Sequence, residues 1–336
     1  MKTARGVGHV ELREVDRPSA GPGEVLVRVA AAAVCGSDLL IEADRHVNEP
    51  PMIMGHEFSG TIAEVGEGVS GWEAGDRVVQ ETSAWVCGEC ERCKRGEHHL
   101  CARKKVFGIK TDGGFAGFVR VPAWVLHRVP DTVSIEEAAM TEPACVVLHA
   151  MLEKGRVEPG DEVLVMGAGT IGLLALQVAR MAGAKRVFVA ELNEKKREMA
   201  RKLGGVVLDA VKMDTAAEVI RFTGGNGADV VVECTGAEPA IASGLNAVRR
   251  LGRFVAIGLT GRPQISIPWD DLVFRSPDVH FSLSSTYRSW ERVLVALSDG
   301  HLDFKPLITH RFPLDSWADA FQAMREGEAI KCLLIP

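Results

Sequence analysis

The chain has 336 residues, of which 46% are hydrophobic and 25% charged, and its net charge is -6 at pH 7. That balance excludes a basic nucleic-acid binder or a protein drawn to anionic membranes by charge, and length over roughly 150 suggests two domains with sizeable cores. "MKTARGVGHVELREV" lacks an apolar core of signal-peptide length, and no run reaches the roughly eighteen apolar residues of a membrane span, so the expectation is a cytoplasmic protein.

Up to about residue 140 short β-type runs, "EVLVRVAAAAV", "GTIAEVGEGV" and "GFVRVPAWVLHRVP", alternate with Gly and Pro turns and predict a β-rich half. At "TEPACVVLHAMLEKGRVEPGD" the pattern becomes helical. "EVLVMGAGTIGLLALQVARMAGAKRVFVAEL" then reads as strand, glycine turn, amphipathic helix and strand, a βαβ unit. "ADVVVECTG" and "GRFVAIGL" alternate with further helical segments, as a doubly wound parallel sheet requires. The predicted second domain spans residues 145–277, and the tail supplies two helices and a last strand able to rejoin the first domain. The first domain is thus predicted over 1–144 and 278–336.

Gly167, Gly169 and Gly172 spell G-x-G-x-x-G around Thr170 and Ile171, where backbone and a helix N-terminus can receive a pyrophosphate. Glu191, nineteen residues on at the next strand end, can accept from the ribose hydroxyls of NAD and would repel a 2′-phosphate. A plain strand-to-helix turn is the bland alternative. Lys195, Lys196 and Arg197 follow and read as a solvated helix face that still bears on the phosphate preference. Cys234 and Thr235 fall at another strand end beside the expected crevice, although Cys234 alone also reads as core.

Four of the eight cysteines, Cys87, Cys90, Cys93 and Cys101, lie in the lobe 87–101. Eight in so long a chain are too few for a disulfide scaffold, and four thiolates on one loop can close around a structural zinc. An iron-sulfur cluster and simple reactive thiols are the alternatives. His98 and His99, inside the loop, are expected to face solvent. Cys35 in "VCGSD", His56 and Glu57 in "MGHEFSG", and Glu142 in "MTEPAC" could bind a second zinc with an open position, although spacing alone supports this poorly, since a lone Cys is usually a small core residue and a lone His a satisfied core or surface one.

"VCGSD", "GHEFSG", the cysteine lobe, "GGFAGFV", "EPACVVLHA", "GAGTIG" and "KPLITHRFPL" occur in the order seen in zinc-containing medium-chain dehydrogenases, and the whole chain resembles their polyol branch, typified by sorbitol dehydrogenase. The resemblance implies a GroES-like catalytic domain built from both chain ends and a Rossmann domain between them. It also implies zinc-assisted transfer of a hydride from a secondary alcohol to NAD, and a homodimer or homotetramer acting on a small polyol or sugar derivative. A sugar-alcohol phosphate or L-threonine is the alternative substrate, and a catalytically silent nucleotide-binding module the remote one.

On the same resemblance Cys35, His56 and Glu57 inherit ligand roles, and Glu142 that of ligand or water-holding neighbour. Ser37 begins a proton relay whose usual next histidine is here Leu40, leaving water, a cofactor hydroxyl, Glu57, Glu142 or His46 as exits. That departure argues against an ordinary threonine dehydrogenase. Tyr287 and Arg288 fall where the polyol branch contacts substrate hydroxyls, with packing and surface roles as alternatives.

Overall fold

The computed structural model describes residues 1–336. They form two units, one comprising Met1–Glu142, Thr286–Asp299 and Phe304–Pro336, the other Pro143–Ser285 and Gly300–Asp303.

The first unit is organised by the strand Glu24–Ala33, which pairs antiparallel with Glu57–Val65, Phe118–Pro122 and Lys331–Ile335. Val25, Val27 and Val29 alternate onto one face and meet Ile62, Val78, Val119 and Val121, the period of two that a strand dictates. Arg77–Gln80 and Leu126–Arg128 extend one side of the seven-stranded sheet and Ile308–Pro313 the other. The last strand of the chain therefore rejoins the sheet begun near its N-terminus, as the tail pattern predicts. A second apolar cluster, with Ile41, Met52 and Met54 against Ala320, Phe321 and Leu334, seats the helix Trp317–Arg325.

Register sets up the chemistry. Ala33 stands opposite both Glu57 and Leu333. Cys35, just past the end of its strand, is thereby carried next to His56 and Glu57 at the start of one neighbour and Lys331 at the start of the other.

In the second unit six parallel strands run in the order Val206–Asp209, Arg186–Glu191, Glu162–Met166, Ala228–Glu233, Val248–Ala256 and Asp278–Phe281. This is the third-second-first-fourth-fifth-sixth order of a dinucleotide-binding sheet. Leu164, Phe188, Leu208, Val231 and Phe254 build its core. The expected limit at 277 leaves out the sixth strand, and the second unit continues to Ser285. "DVHF" alternates polar and apolar residues, but over only four positions, too short a run to be told from a loop by pattern.

Candidate functional site

Cys35 is the N-cap of the helix Gly36–Glu42, and its backbone N–H donates to Asp38 Oδ2 at 2.8 Å. One ligand atom from each of Cys35, His56 and Glu57 lies within 4.8 Å of the other two. His56 Nδ1 faces Asp38 Oδ1 at 3.7 Å, which leaves Nε2, 3.5 Å from Ser37 Oγ, turned to the cluster. Glu57 Oε2 accepts from Lys331 Nζ at 2.6 Å, and the same ammonium donates to Val34 O at 3.0 Å. Both charged side chains are almost completely buried.

Asp38 Oδ1, His56 Nδ1 and Glu57 Oε1 are buried without a hydrogen-bond partner. Asp38 Oδ1 and His56 Nδ1 still face each other as an ion pair, whereas an atom left alone like Glu57 Oε1 costs on the order of 1–3 kcal/mol. A thiolate, an imidazole and a carboxylate with an idle oxygen suit zinc, so the residues fit that ion. The electrostatics agree. Burial alone would press the His56 imidazolium down, but Asp38, Cys35 and Glu142 outweigh it and hold its pKa well above the usual value. Burial raises Asp38 and lifts Glu142 to about 7, with Glu57 adding to the rise at Glu142.

Glu142 is buried and coupled in charge to His56, Glu57 and Lys331, yet stands outside the tight set of donors. Leu40 occupies the same helix as Ser37, and His46 Nδ1 lies 3.0 Å from Val47 O. Tyr287 and Arg288 are exposed at the start of the helix Tyr287–Ser298, where the Tyr287 ring centroid is 4.6 Å from that of His127. Asp38 and Lys331 were not legible as functional from the sequence, although the spacing Cys35-x-x-Asp38 is a capping signal for the first.

The four lobe cysteines also present sulfurs within 4.8 Å of one another, and no cysteine of the chain is in a disulfide. Cys87 Sγ lies 3.8 Å from Cys93 Sγ and 3.6 Å from Cys101 Sγ. A tetrahedron with metal–sulfur bonds of about 2.3 Å has edges of about 3.8 Å, so the lobe fits zinc with no position left open. The backbone N–H of Cys90 leads in drawing the Cys87 thiol down to about 6, while burial pushes Cys93 up to about 12. His99 corrects the expectation of exposure: the turn His98–Leu100 buries it, and its carbonyl accepts from Lys104 at 2.6 Å. His98 is half-buried, edge-on to Trp124.

In the second unit the helix Thr170–Met181 starts directly after Gly169. Gly167 has φ +93°, and a Cβ on Gly172 would come within 1.9 Å of Gly167 O, so this turn admits only glycine at both ends. A Cβ on Gly169 would meet nothing within 4 Å, leaving open the side from which a pyrophosphate can approach. Ile171 follows Thr170 in the first helical turn. Glu191 Oε2 accepts from Ala168 N at 2.7 Å and Oε1 from the amides of Leu192 and Asn193 at 2.8 Å, so its carboxylate is fixed beside the turn.

Arg197 departs from the solvated face expected for its run. It is buried and donates to the carbonyls of Glu191 and Leu192, with Asp209 at 3.2 Å. Its fork is thus committed to its own chain, while Lys195 stays exposed. Thr235 Cγ2 packs over Gly167, and Thr235 and Gly236 donate their amides to the fully buried Glu233 carboxylate, a residue the sequence did not single out. Burial and that same carboxylate push the Cys234 thiol up.

Two family models match: an alcohol dehydrogenase GroES-like domain over residues 21–131 and a zinc-binding dehydrogenase over residues 170–299. The chain is 37% identical to a sorbitol dehydrogenase of Halalkalibacterium halodurans, over 100% of this chain and 98% of that one. It is 38% identical to an L-threonine 3-dehydrogenase of Pyrococcus horikoshii, over 100% and 97%. A crystal structure of a Sinorhizobium meliloti chain bound to NADP superimposes with a TM-score of 0.93 at 30% identity, covering 99% of this chain and 97% of that one. No helix is long and apolar enough to cross a membrane.

Proposed function

Because the chain belongs to the zinc-containing medium-chain dehydrogenases and is a zinc- and NAD-dependent alcohol oxidoreductase, we propose that it oxidises a secondary hydroxyl of a polyol or sugar derivative to a ketone. Cys35, His56 and Glu57 hold the catalytic zinc in this reading, with Glu142 beside them, and the four lobe cysteines hold a structural one. The observation that carries it is the convergence of sulfur, imidazole and carboxylate donors within 4.8 Å, with Glu57 Oε1 buried and idle.

When bound, zinc supplies Lewis acidity that favours the ionised form of a substrate hydroxyl near neutral pH, and NAD supplies the hydride acceptor. The protein's own groups do the rest. Asp38 orients the His56 ring through Nδ1, Lys331 holds Glu57 in place, and Ser37 Oγ takes the substrate's proton. Leu40 offers no onward acceptor, so the proton leaves by another route. Gly167, Gly169, Thr170, Ile171 and Gly172 receive the pyrophosphate. Glu191 selects NAD over NADP by repelling a 2′-phosphate, and Arg197 is not free to rescue one. Cys234 and Thr235 adjoin the cofactor, while exposed Tyr287 and Arg288 meet substrate hydroxyls.

The polyol class rests on likeness to the sorbitol dehydrogenase, and threonine is the second reading on the strength of the other relative. Absorbance of NADH with sorbitol, xylitol, a sugar-alcohol phosphate and L-threonine as substrates separates these. Failure to oxidise any secondary alcohol, with two zinc ions and NAD bound, overturns the proposal. The edge strand Asp278–Phe281 has no neighbour on its outer side and exposes Val279 and Phe281, which supports a homodimer or homotetramer. Light scattering at the mass of one chain contradicts that assembly. Eight cysteines with no disulfide among them fit a reducing cytoplasm, a location that fractionation of the native cell can test.

A further inference from the structure

We propose that the second unit carries an anion site at the N-terminal ends of its parallel strands, suited to a small polyphosphorylated molecule and separate from the cofactor turn. The cavity measures about 970 Å³ and is lined by Lys185, Arg186, Arg249, Arg250 and Arg275, opposed by Glu162 and Asp229. Five cations less two carboxylates leave an excess of three positive charges, in a chain whose net charge is -6.

Pairing inside the cavity does not cancel that excess. Glu162 Oε1 accepts from both Lys185 and Arg186 at 3.0 Å, and Asp229 takes Arg249 Nε. Arg250 donates to the Phe274 carbonyl, and Arg275 Nη1 to the carbonyls of Asn246 and Val248, acceptors that carry no net charge. Asp271, which is not among the lining residues, takes Arg275 Nη2 at 3.3 Å and lowers the excess to two, and the buried Nε of the same guanidinium has no partner.

The rim is the loop Thr223–Gly227. Gly224 and Gly225 have positive φ, and a Cβ on either would meet nothing within 4 Å, so the loop bounds the space without filling it. Arginine forks and a lysine ammonium around such a space match phosphate oxygens. The volume and the spread of charge suit two or three linked phosphates better than one.

The place is distinct from the cofactor site. Glu162–Met166 is five residues long, and at about 3.3 Å per residue the glycine turn lies roughly 16 Å away at the opposite, C-terminal ends of the strands. Ligands of such sheets ordinarily sit at the carboxyl ends of the strands.

Inorganic tripolyphosphate, titrated calorimetrically into zinc-loaded enzyme already saturated with NADH, tests this, with citrate and inorganic phosphate as parallel titrants. The expected result is tripolyphosphate binding that weakens with added NaCl and exceeds that of the other two anions. Lys185→Ala combined with Arg250→Ala, both exposed side chains, should weaken it by about tenfold or more. NADH affinity should stay unchanged and reports that the variant is folded. Binding seen only in the absence of NADH puts the anion at the glycine turn and overturns the proposal. So does the absence of binding, equal affinity in the folded variant, or tighter binding of citrate.

Discussion

The two thiol-bearing clusters of the first unit are built on opposite plans. The lobe draws four sulfurs from fifteen consecutive residues, Cys87 to Cys101, all within 4.8 Å of one another. The other cluster draws one sulfur, one imidazole and one carboxylate from two strand ends, and Lys331, 274 positions from Glu57, completes it from a third. Four sulfurs saturate a tetrahedral zinc and leave no position for a reactant, whereas three protein donors leave one position free. In the proposed reading, four neighbouring sulfurs close the lobe, while strand register gathers only three donors and so leaves the other cluster a position for a reactant.

The largest expected effect falls on the assembled cluster. Cys35→Ala should cost about a thousandfold in kcat/KM, on the order of 4 kcal/mol of transition-state stabilisation. Zinc content measured by plasma emission should fall from two per chain to one. An active Cys35→Ala enzyme breaks the contrast.

Lys331→Met comes next, because it strands a buried carboxylate. It should destabilise the fold by about 3–5 kcal/mol in urea unfolding, and adding Glu57→Gln should restore much of that. Equal stability of single and double variants would show that the pair does not hold the cluster.

Glu191→Ala sharpens the comparison by leaving both clusters intact while changing the cofactor turn. Loss of a charged hydrogen-bond acceptor worth about 1.5–3 kcal/mol should weaken NAD binding by roughly tenfold to a hundredfold and narrow the gap to NADP, read by fluorescence titration.

The smallest effect on catalysis is expected at the lobe. Cys93→Ser should lose the structural zinc and lower the melting temperature, yet change kcat by less than about tenfold, since a closed site touches no reactant. A collapse of kcat in enzyme that remains folded erases the distinction between the clusters.

What was legible in the sequence follows the same divide. The glycine turn and the lobe are patterns of short range, in which the residues that act together are neighbours in the chain. Cys35, His56 and Glu57 could be linked only through resemblance, because strand register brings them together and spacing does not encode register. Lys331 was invisible for that reason, its partner being in a distant strand. Burial misled at His99 and Arg197, where polar neighbours suggest solvent but a tight turn and a set of backbone carbonyls draw the side chains inward. The sixth strand is hard to read from sequence because its alternation, Val279 and Phe281, runs for only four residues at the solvent-exposed edge of the sheet.

Anomalous diffraction at the zinc edge from crystals of the zinc-loaded enzyme tests the account most directly. It should show two peaks per chain, one among the four lobe sulfurs and one about 2.0–2.3 Å from Cys35 Sγ, His56 Nε2 and a Glu57 oxygen. A single peak confined to the lobe, with Cys35, His56 and Glu57 turned away from one another, contradicts it.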